Sequence, residues 1–268
     1  MGKYDASIEK FLTFCNAGGR GPDLEGLKEL LAAFAQVPYE NLSKIIAVGS
    51  TRADAFRTPE RVVADHLEHR LGGTCFSLVY LFKALLDYLG FSSHLVLADR
   101  AYGTDTHCAL FVMCAGSVYL ADPGYLVFTP VPLPEGASQQ FRSGPYRLRI
   151  TPVEGGRAFD IHSLSDSGHE KFRYRIKSSA ADEGTFFDAW KASFEFEMMD
   201  HIVINTYRDG RHIYLRDSML HETGGAVRLR KRLTGQEFFQ VLARLGMAPE
   251  MARHALSLTG GLPAPPMP

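Results

Sequence analysis

The chain has 268 residues, 46% of them hydrophobic, 11% aromatic and 22% charged, the balance of a globular protein able to fill one large core or a few small ones. Lys plus Arg at 29 against Asp plus Glu at 30 leave a net charge of −1, which excludes a global field for nucleic acid or anionic lipid. The start Met1-Gly2-Lys3-Tyr4-Asp5 lacks the basic-then-apolar layout of a secretory signal, and no run approaches the roughly 18 apolar residues of a membrane span, so a cytoplasmic protein with no membrane partner is expected. The cysteines Cys15, Cys75, Cys108 and Cys114 are too few for a disulfide framework and are expected as thiols.

Residues 5–92 read as helical. Leu24, Leu27, Leu30, Leu31 and Phe34 recur at helical spacing, and a second helix opens at Thr58-Pro59-Glu60, with Thr58 as cap, Pro59 at the first position and Gly72 as a left-handed stop. A third runs from about residue 75 to 89 and ends at Gly90. From 93 to 200 the period changes to short strands, at residues 94–98, 107–114, 118–122, 146–151 and 172–176, which suggests a small barrel or curled sheet. From 201 to 268 strand-like pieces at 202–207 and 212–216 precede a helix at 234–245, opened by the capping pair Thr234 and Glu237 and closed by Gly246, as a third, covering element. The stretch 260–266, rich in Gly and Pro, reads as a poorly ordered end. Helices first and strands afterwards give an α+β class.

The chemistry concentrates between residues 70 and 125. Cys75 follows Gly72-Gly73-Thr74 and opens a helix whose apolar stripe is Val79, Phe82, Leu85, Leu86 and Leu89. A thiol at a helix N-terminus meets unpaired amides and the positive end of the dipole, which favours thiolate and can hold an oxyanion. The two glycines are expected to take left-handed angles and to let the backbone approach a substrate. His107, on a strand after the loop 103–106, is the candidate base. If Ala115-Gly116 is a two-residue turn, Cys114 faces Ser117, His107 faces Gly124, and Asp122 is a same-face diagonal neighbour of His107. The carboxylate would then orient the imidazole and stabilise its protonated form. Taken singly, Cys75 could be a core residue, His107 a satisfied strand histidine and Asp122 a turn residue, so the assignment lives on the combination. Cys15, Cys108 and Cys114 read as packing, Cys108 pointing away from His107.

Gly72-Gly73-Thr74-Cys75-Phe76, Thr106-His107 and Ala121-Asp122-Pro123-Gly124-Tyr125, with Val37-Pro38-Tyr39-Glu40-Asn41-Leu42 upstream, resemble in order the conserved blocks of the arylamine N-acetyltransferases. The resemblance implies a helical bundle (1–92) carrying the nucleophile, a β-barrel (93–200) carrying His107 and Asp122, and an α/β lid (201–268). It also implies a papain-like triad, acetyl-coenzyme A as co-substrate with no tightly bound cofactor, a small-molecule amine acceptor and a ping-pong route through an acyl-cysteine. Thr104, Thr106 and Gly124 are the residues it places nearest the coenzyme. Leu71 and Ser77 depart from it, standing where the family has arginine and glutamate and removing charge beside the nucleophile, and Pro123 deletes a backbone donor. A related amide synthase fed by an acyl carrier protein, a transglutaminase or hydrolase on the same triad, and a non-catalytic binding protein remain alternatives. His66, His69 and Cys75 lack a fourth ligand, so no metal is expected. The run Arg228, Arg230, Lys231 and Arg232 reads as a solvated face rather than a coenzyme phosphate contact.

Overall fold

The computed structural model describes residues 2–50, 55–144, 146–165 and 168–261. The expected low-complexity end lies outside the described residues from position 262 on. The first part is helical: α1 (Asp5–Cys15), α2 (Leu24–Phe34), a two-residue strand β1 (Tyr39–Glu40), α3 (Leu42–Ser50), α4 (Pro59–His69) and α5 (Cys75–Tyr88). In α2 the Asp23 carboxylate caps the first turn by accepting from Gly26 N at 2.8 Å, and Leu27, Leu30, Leu31 and Phe34 all face the core.

Two expectations about α4 are corrected. Thr58 sits in the capping position but makes no side-chain cap bond, and the left-handed stop is Arg70 (φ 56°), one residue past His69, rather than Gly72. Gly72 and Gly73 do not adopt positive φ. They are glycines because the chain runs hard against the segment before β1: a Cβ on Gly72 would lie 1.9 Å from the Pro38 carbonyl oxygen, and one on Gly73 would lie 2.2 Å from Ser77 Oγ. Gly73 bridges Tyr39 in parallel, with Glu40 N donating to Gly73 O at 2.9 Å, so the turn before Cys75 is stitched to β1.

The middle is an eight-stranded antiparallel sheet of β2 (Ser92–Arg100), β3 (Gly103–Cys114), β4 (Ser117–Asp122), β5 (Val127–Pro132), β6 (Gln139–Ser143), β7 (Tyr146–Val153), β8 (Ala158–Leu164) and β9 (Glu170–Lys177). Its order is β5-β4-β3-β2-β9-β8-β7-β6. The two outer strands approach each other, with Phe128 N donating to Ser143 Oγ at 2.6 Å and Thr129 Oγ1 to Arg142 O at 3.3 Å, so the sheet is a nearly closed barrel. Val96, Ala98, Ala109, Phe111, Ile161 and Tyr174 fill its interior. The opposite face of β3, with Cys108, Leu110 and Val112, joins α5 and the rest of the bundle in one core.

Residues 93–200 are not strand throughout. Helix α6 (Glu183–Ala192), capped by Asp182, packs Phe186, Ala189 and Trp190 against the bundle. The last part holds β10 (Val203–Arg208), β11 (Arg211–Arg216), β12 (Met219–Gly224), β13 (Val227–Arg232), α7 (Gly235–Arg244) and α8 (Pro249–Leu258). Its strands extend β1 into a five-stranded sheet, β1-β10-β11-β12-β13, covered by α3, α7 and α8 around a second core that includes Leu42, Leu71, Ile204, Phe238 and Leu256. Helix α7 opens with the expected capping box of Thr234 and Glu237 and is followed by Gly246 at φ 73°. Among the described residues no helix is long and apolar enough to cross a membrane.

Candidate active site

Cys75 is the first residue of α5, and its preceding Thr74 makes no side-chain cap bond, so no capping side chain occupies the amides of the first turn. The cysteine is 7% exposed. It lies on a narrow cavity of about 20 Å³ lined also by Tyr39, Lys44, Arg100, Phe196 and Met198. Tyr102, Thr106, Phe196 and Met198 continue from there into an outer cleft of about 490 Å³ that ends at Tyr214 and Arg216. Cys75 therefore sits at the floor of a funnel.

The β3–β4 hairpin delivers the other two groups. Ala115 (φ 51°) and Gly116 (φ 76°) both take left-handed angles, the signature of a tight two-residue turn whose twist matches the strands. That turn sets Cys114 opposite Ser117 and Leu110 opposite Ala121. Beyond Ala121 the chain leaves the ladder for a 3-10 turn, Pro123–Tyr125, which Asp122 caps by accepting from Tyr125 N at 2.9 Å. Pro123 fits here because a helical first position has no acceptor for its amide, so the missing donor costs little. His107 Nε2 donates to Asp122 Oδ2 at 2.8 Å, and Tyr174 Oη, from β9, donates to the same oxygen at 2.6 Å. His107 and Asp122 are both fully buried.

The electrostatics favour an ionised Cys75. The Cys75 thiol is held well below its ordinary value first by the hydrogen bond from Cys108, then by His107 and Arg100, against the cost of burial. Cys108 moves the opposite way, raised by burial and by its bond to Cys75, so it remains a thiol donating to a thiolate. Burial opposes the His107 imidazolium, yet the Asp122 carboxylate outweighs it and raises the histidine. Arg100 adds a complication, because its Nη2 lies 3.0 Å from His107 Nδ1. A guanidinium only donates, so this contact belongs to a neutral imidazole with its proton on Nε2. The raised His107 belongs to the other state, in which Nδ1 is protonated toward Cys75 and Arg100 has given up that bond.

Cys75, His107 and Asp122 thus come together from α5, β3 and β4. Thr106 lines the same cavity, its Oγ1 accepting from Arg100 N at 3.2 Å. Gly124 is buried against Cys75, where a Cβ would stand 2.8 Å from Cys75 Cα. Thr104 is exposed and outside the residues lining the cavity and cleft. The charge lost at Leu71 and Ser77 returns from elsewhere in the chain. Arg57, 3% exposed, donates through Nη1 to Gly72 O, stands 3.8 Å from the buried Glu40 carboxylate and bonds Asp65 Oδ2 at 2.5 Å. Leu71 packs into the second core and Ser77 Oγ donates to Thr74 O at 3.0 Å.

Sequence reading missed Arg57, Arg100, Lys44, Tyr174 and the role of Cys108, all brought to the site by tertiary packing. For Cys108 the signal was available: opposite faces of β3 meet the barrel and α5, and Cys75 begins α5. Cys15 is raised to about 11, chiefly by burial, and Cys114 is also raised by burial, as befits packing thiols. His66 Nδ1 faces Leu71 O at 2.9 Å, and among the described residues no cluster of His, Cys, Asp or Glu could hold a metal. The basic run forms the exposed edge strand β13.

An N-acetyltransferase family model matches residues 23–245. Among solved structures, the arylamine N-acetyltransferase of Mycobacterium smegmatis is 19% identical, with a TM-score of 0.78 over 95% of this chain and 98% of that one. The enzyme of Nocardia farcinica is 22% identical, with a TM-score of 0.75 over 94% and 95%. That of Bacillus cereus, described as having a unique Cys-His-Glu catalytic triad, is 20% identical, with a TM-score of 0.73 over 92% and 100%. No curated protein sequence matches.

Proposed function

The chain belongs to the arylamine N-acetyltransferase family, and on that premise we propose that it carries an acyl group from a thioester such as acetyl-coenzyme A to an arylamine or hydrazine by a ping-pong route through acyl-Cys75. The observation that carries the reading is the buried His107–Asp122 pair set against a thiol whose ionisation is favoured at the start of α5. In the first half-reaction the Cys75 thiolate attacks the thioester carbonyl, with His107 protonated after taking the thiol proton. Amides of the first turn of α5 point toward the developing oxyanion. The carbon–sulfur bond to the donor breaks, and His107 returns its proton to the leaving thiolate. In the second half-reaction the neutral amine attacks acyl-Cys75, His107 takes the amine proton, and the amide leaves with Cys75 restored. Asp122 stabilises the imidazolium in both halves.

No group needs to remain bound between turnovers, because the donor enters as a co-substrate. The test is turnover of acetyl-coenzyme A with an arylamine, followed by free thiol release. Cys75→Ala should abolish it, and Asp122→Asn should lower it by about a hundredfold or more, since the tautomer and the imidazolium both depend on the carboxylate. A Cys75→Ala protein that still turned over would refute the scheme.

A further inference from the structure

The floor of the funnel carries two cations and no carboxylate. Lys44, on α3, is 6% exposed, and its Nζ donates to Ser193 O and Ser193 Oγ, both at 2.7 Å. It faces the Phe194 and Phe196 rings at 5.3 and 6.0 Å. Burial lowers it to about 8, so it is still a cation at neutral pH. Arg100 ends β2 on the other wall. It spends one nitrogen on His107 Nδ1 and meets the Tyr102 hydroxyl, while its solvent-inaccessible Nε has no hydrogen-bond partner. Neither cation has a carboxylate partner among the described residues. The acidic groups near Arg100 in sequence or space are committed elsewhere: Asp99 and Asp105 to Lys177 at 3.1 and 2.6 Å, and Asp122 to His107 and Tyr174.

Two cations without a carboxylate partner, Lys44 buried and Arg100 half-buried with its Nε shut off from solvent, are costly unless an anion joins them in the working state. The cysteine thiolate meets part of that need, but an acyl-cysteine is neutral, and acylation would leave both cations unmatched. Resting on the proposed acyl-transfer reading, we infer that Lys44 and Arg100 form a carboxylate subsite beside Cys75 and that the acyl group transferred is a short dicarboxylic one, carried as a thioester such as malonyl- or succinyl-coenzyme A. The second carboxylate takes the unpartnered donors and draws Arg100 off His107 Nδ1, which frees the base for the thiol. The cavity of about 20 Å³ admits little more than one water-sized group as it stands, so only a short acyl chain can bring a second carboxylate to the two cations. The carboxylate belongs to the acyl group because the floor is where that group rests. The outer cleft, where the remainder of the reactants lies, mixes Glu195 and Glu197 with Arg216 and selects no single sign of charge. The transfer is conservative: the bond from the acyl carbon to Cys75 Sγ forms, its bond to the donor sulfur breaks, the leaving thiolate takes the proton from His107, and the distal carboxylate is unchanged.

The test measures kcat/KM for acylation of Cys75 by acetyl-, propionyl-, malonyl- and succinyl-coenzyme A in the wild-type protein, then in Lys44→Met and Arg100→Met. The expected result is a preference for a dicarboxylic donor of about tenfold or more, with each variant lowering the ratio of dicarboxylic to neutral donor by about tenfold, the scale of one hydrogen-bonded charge pair. The wild-type ratio decides the question even if a variant does not fold. Acylation by acetyl- and propionyl-coenzyme A with no dicarboxylic preference overturns the subsite and leaves the acyltransferase reading standing. Acylation by none of the four overturns both. A preference that appears only in the second half-reaction, for 4-aminobenzoate over aniline and lost in Arg100→Met, places the carboxylate on the acceptor and overturns the acyl assignment.

Discussion

Arg57→Met asks how much the relocated charge is worth. Glu40 is fully buried, and among the described residues its carboxylate, apart from Arg57, accepts only from Ser43, through the amide at 3.0 Å and the hydroxyl at 2.5 Å. Removing the guanidinium leaves that carboxylate without a counter-charge and leaves Gly72 O without its side-chain donor. Breaking a buried pair by deleting one partner costs about 3–5 kcal/mol. The bond to Asp65, whose side chain is 32% exposed, adds about 1 kcal/mol at most. With each kcal/mol worth roughly 2–4 °C at this chain length, Arg57→Met should melt about 6–24 °C below the parent. Urea denaturation gives the free energy directly, and the double variant Arg57→Met with Glu40→Gln supplies the control, because neutralising Glu40 removes the unpaired charge and should recover much of the loss. A single variant within about 1 kcal/mol of the parent, or a Glu40→Gln change that deepens the loss, would show that Arg57 does not compensate the buried carboxylate.

Three further outcomes are expected. Tyr174→Phe removes one of two donors to Asp122 Oδ2 and should lower kcat/KM for amine acetylation by about tenfold while the protein stays folded, since a bond to a charged group is worth about 1.5–3 kcal/mol; unchanged kinetics would contradict it. Gly72→Ala drives a Cβ into the Pro38 carbonyl and should cost about 1–3 kcal/mol in denaturant, with slower alkylation of Cys75 by iodoacetamide. Burial lowers His212 to about 4, and its Nε2 is engaged by Asn205 Oδ1 at 2.6 Å and Tyr146 Oη at 3.2 Å. The unfolded chain therefore binds a proton that the native chain refuses between pH 6.5 and 4, so stability falls as pH drops through that window. His212→Gln should flatten the fall by up to about 3 kcal/mol, read as the pH dependence of the urea midpoint; an unaltered slope would assign the acid sensitivity elsewhere.

Much of this was legible in the sequence where the signal is local. The capping box at Thr234 and the apolar face of α2 are written in neighbouring residues, whereas the two-residue turn at Ala115-Gly116 was only assumed; its register holds as far as Ala121, and the expected pairing of His107 with Gly124 fails because Asp122 leaves the ladder to cap the 3-10 turn. Strands β5 and β6 were not legible: β5 carries Pro130 and Pro132, and β6 reads Gln-Gln-Phe-Arg-Ser, so neither shows the alternation of a half-buried strand. Helix α6 was overlooked although Asp182 with Phe186, Ala189 and Trp190 spell a cap and a helical face. The glycines before Cys75 were expected to take left-handed angles and do not; close approach of Gly72 to Pro38 and of Gly73 to Ser77, a tertiary fact, is what excludes a side chain there. Arg57, Lys44 and Arg100 reach the site from separate elements, and no spacing along the chain connects them.

The central claim is an acyl-cysteine intermediate, and intact-mass spectrometry of the protein mixed with acyl-coenzyme A, followed by peptide mapping, tests it most directly. The expected result is a single acyl adduct on Cys75 that disappears when an arylamine or hydrazine is added. An adduct on another residue, or product formed while Cys75 never carries the acyl group, would contradict it.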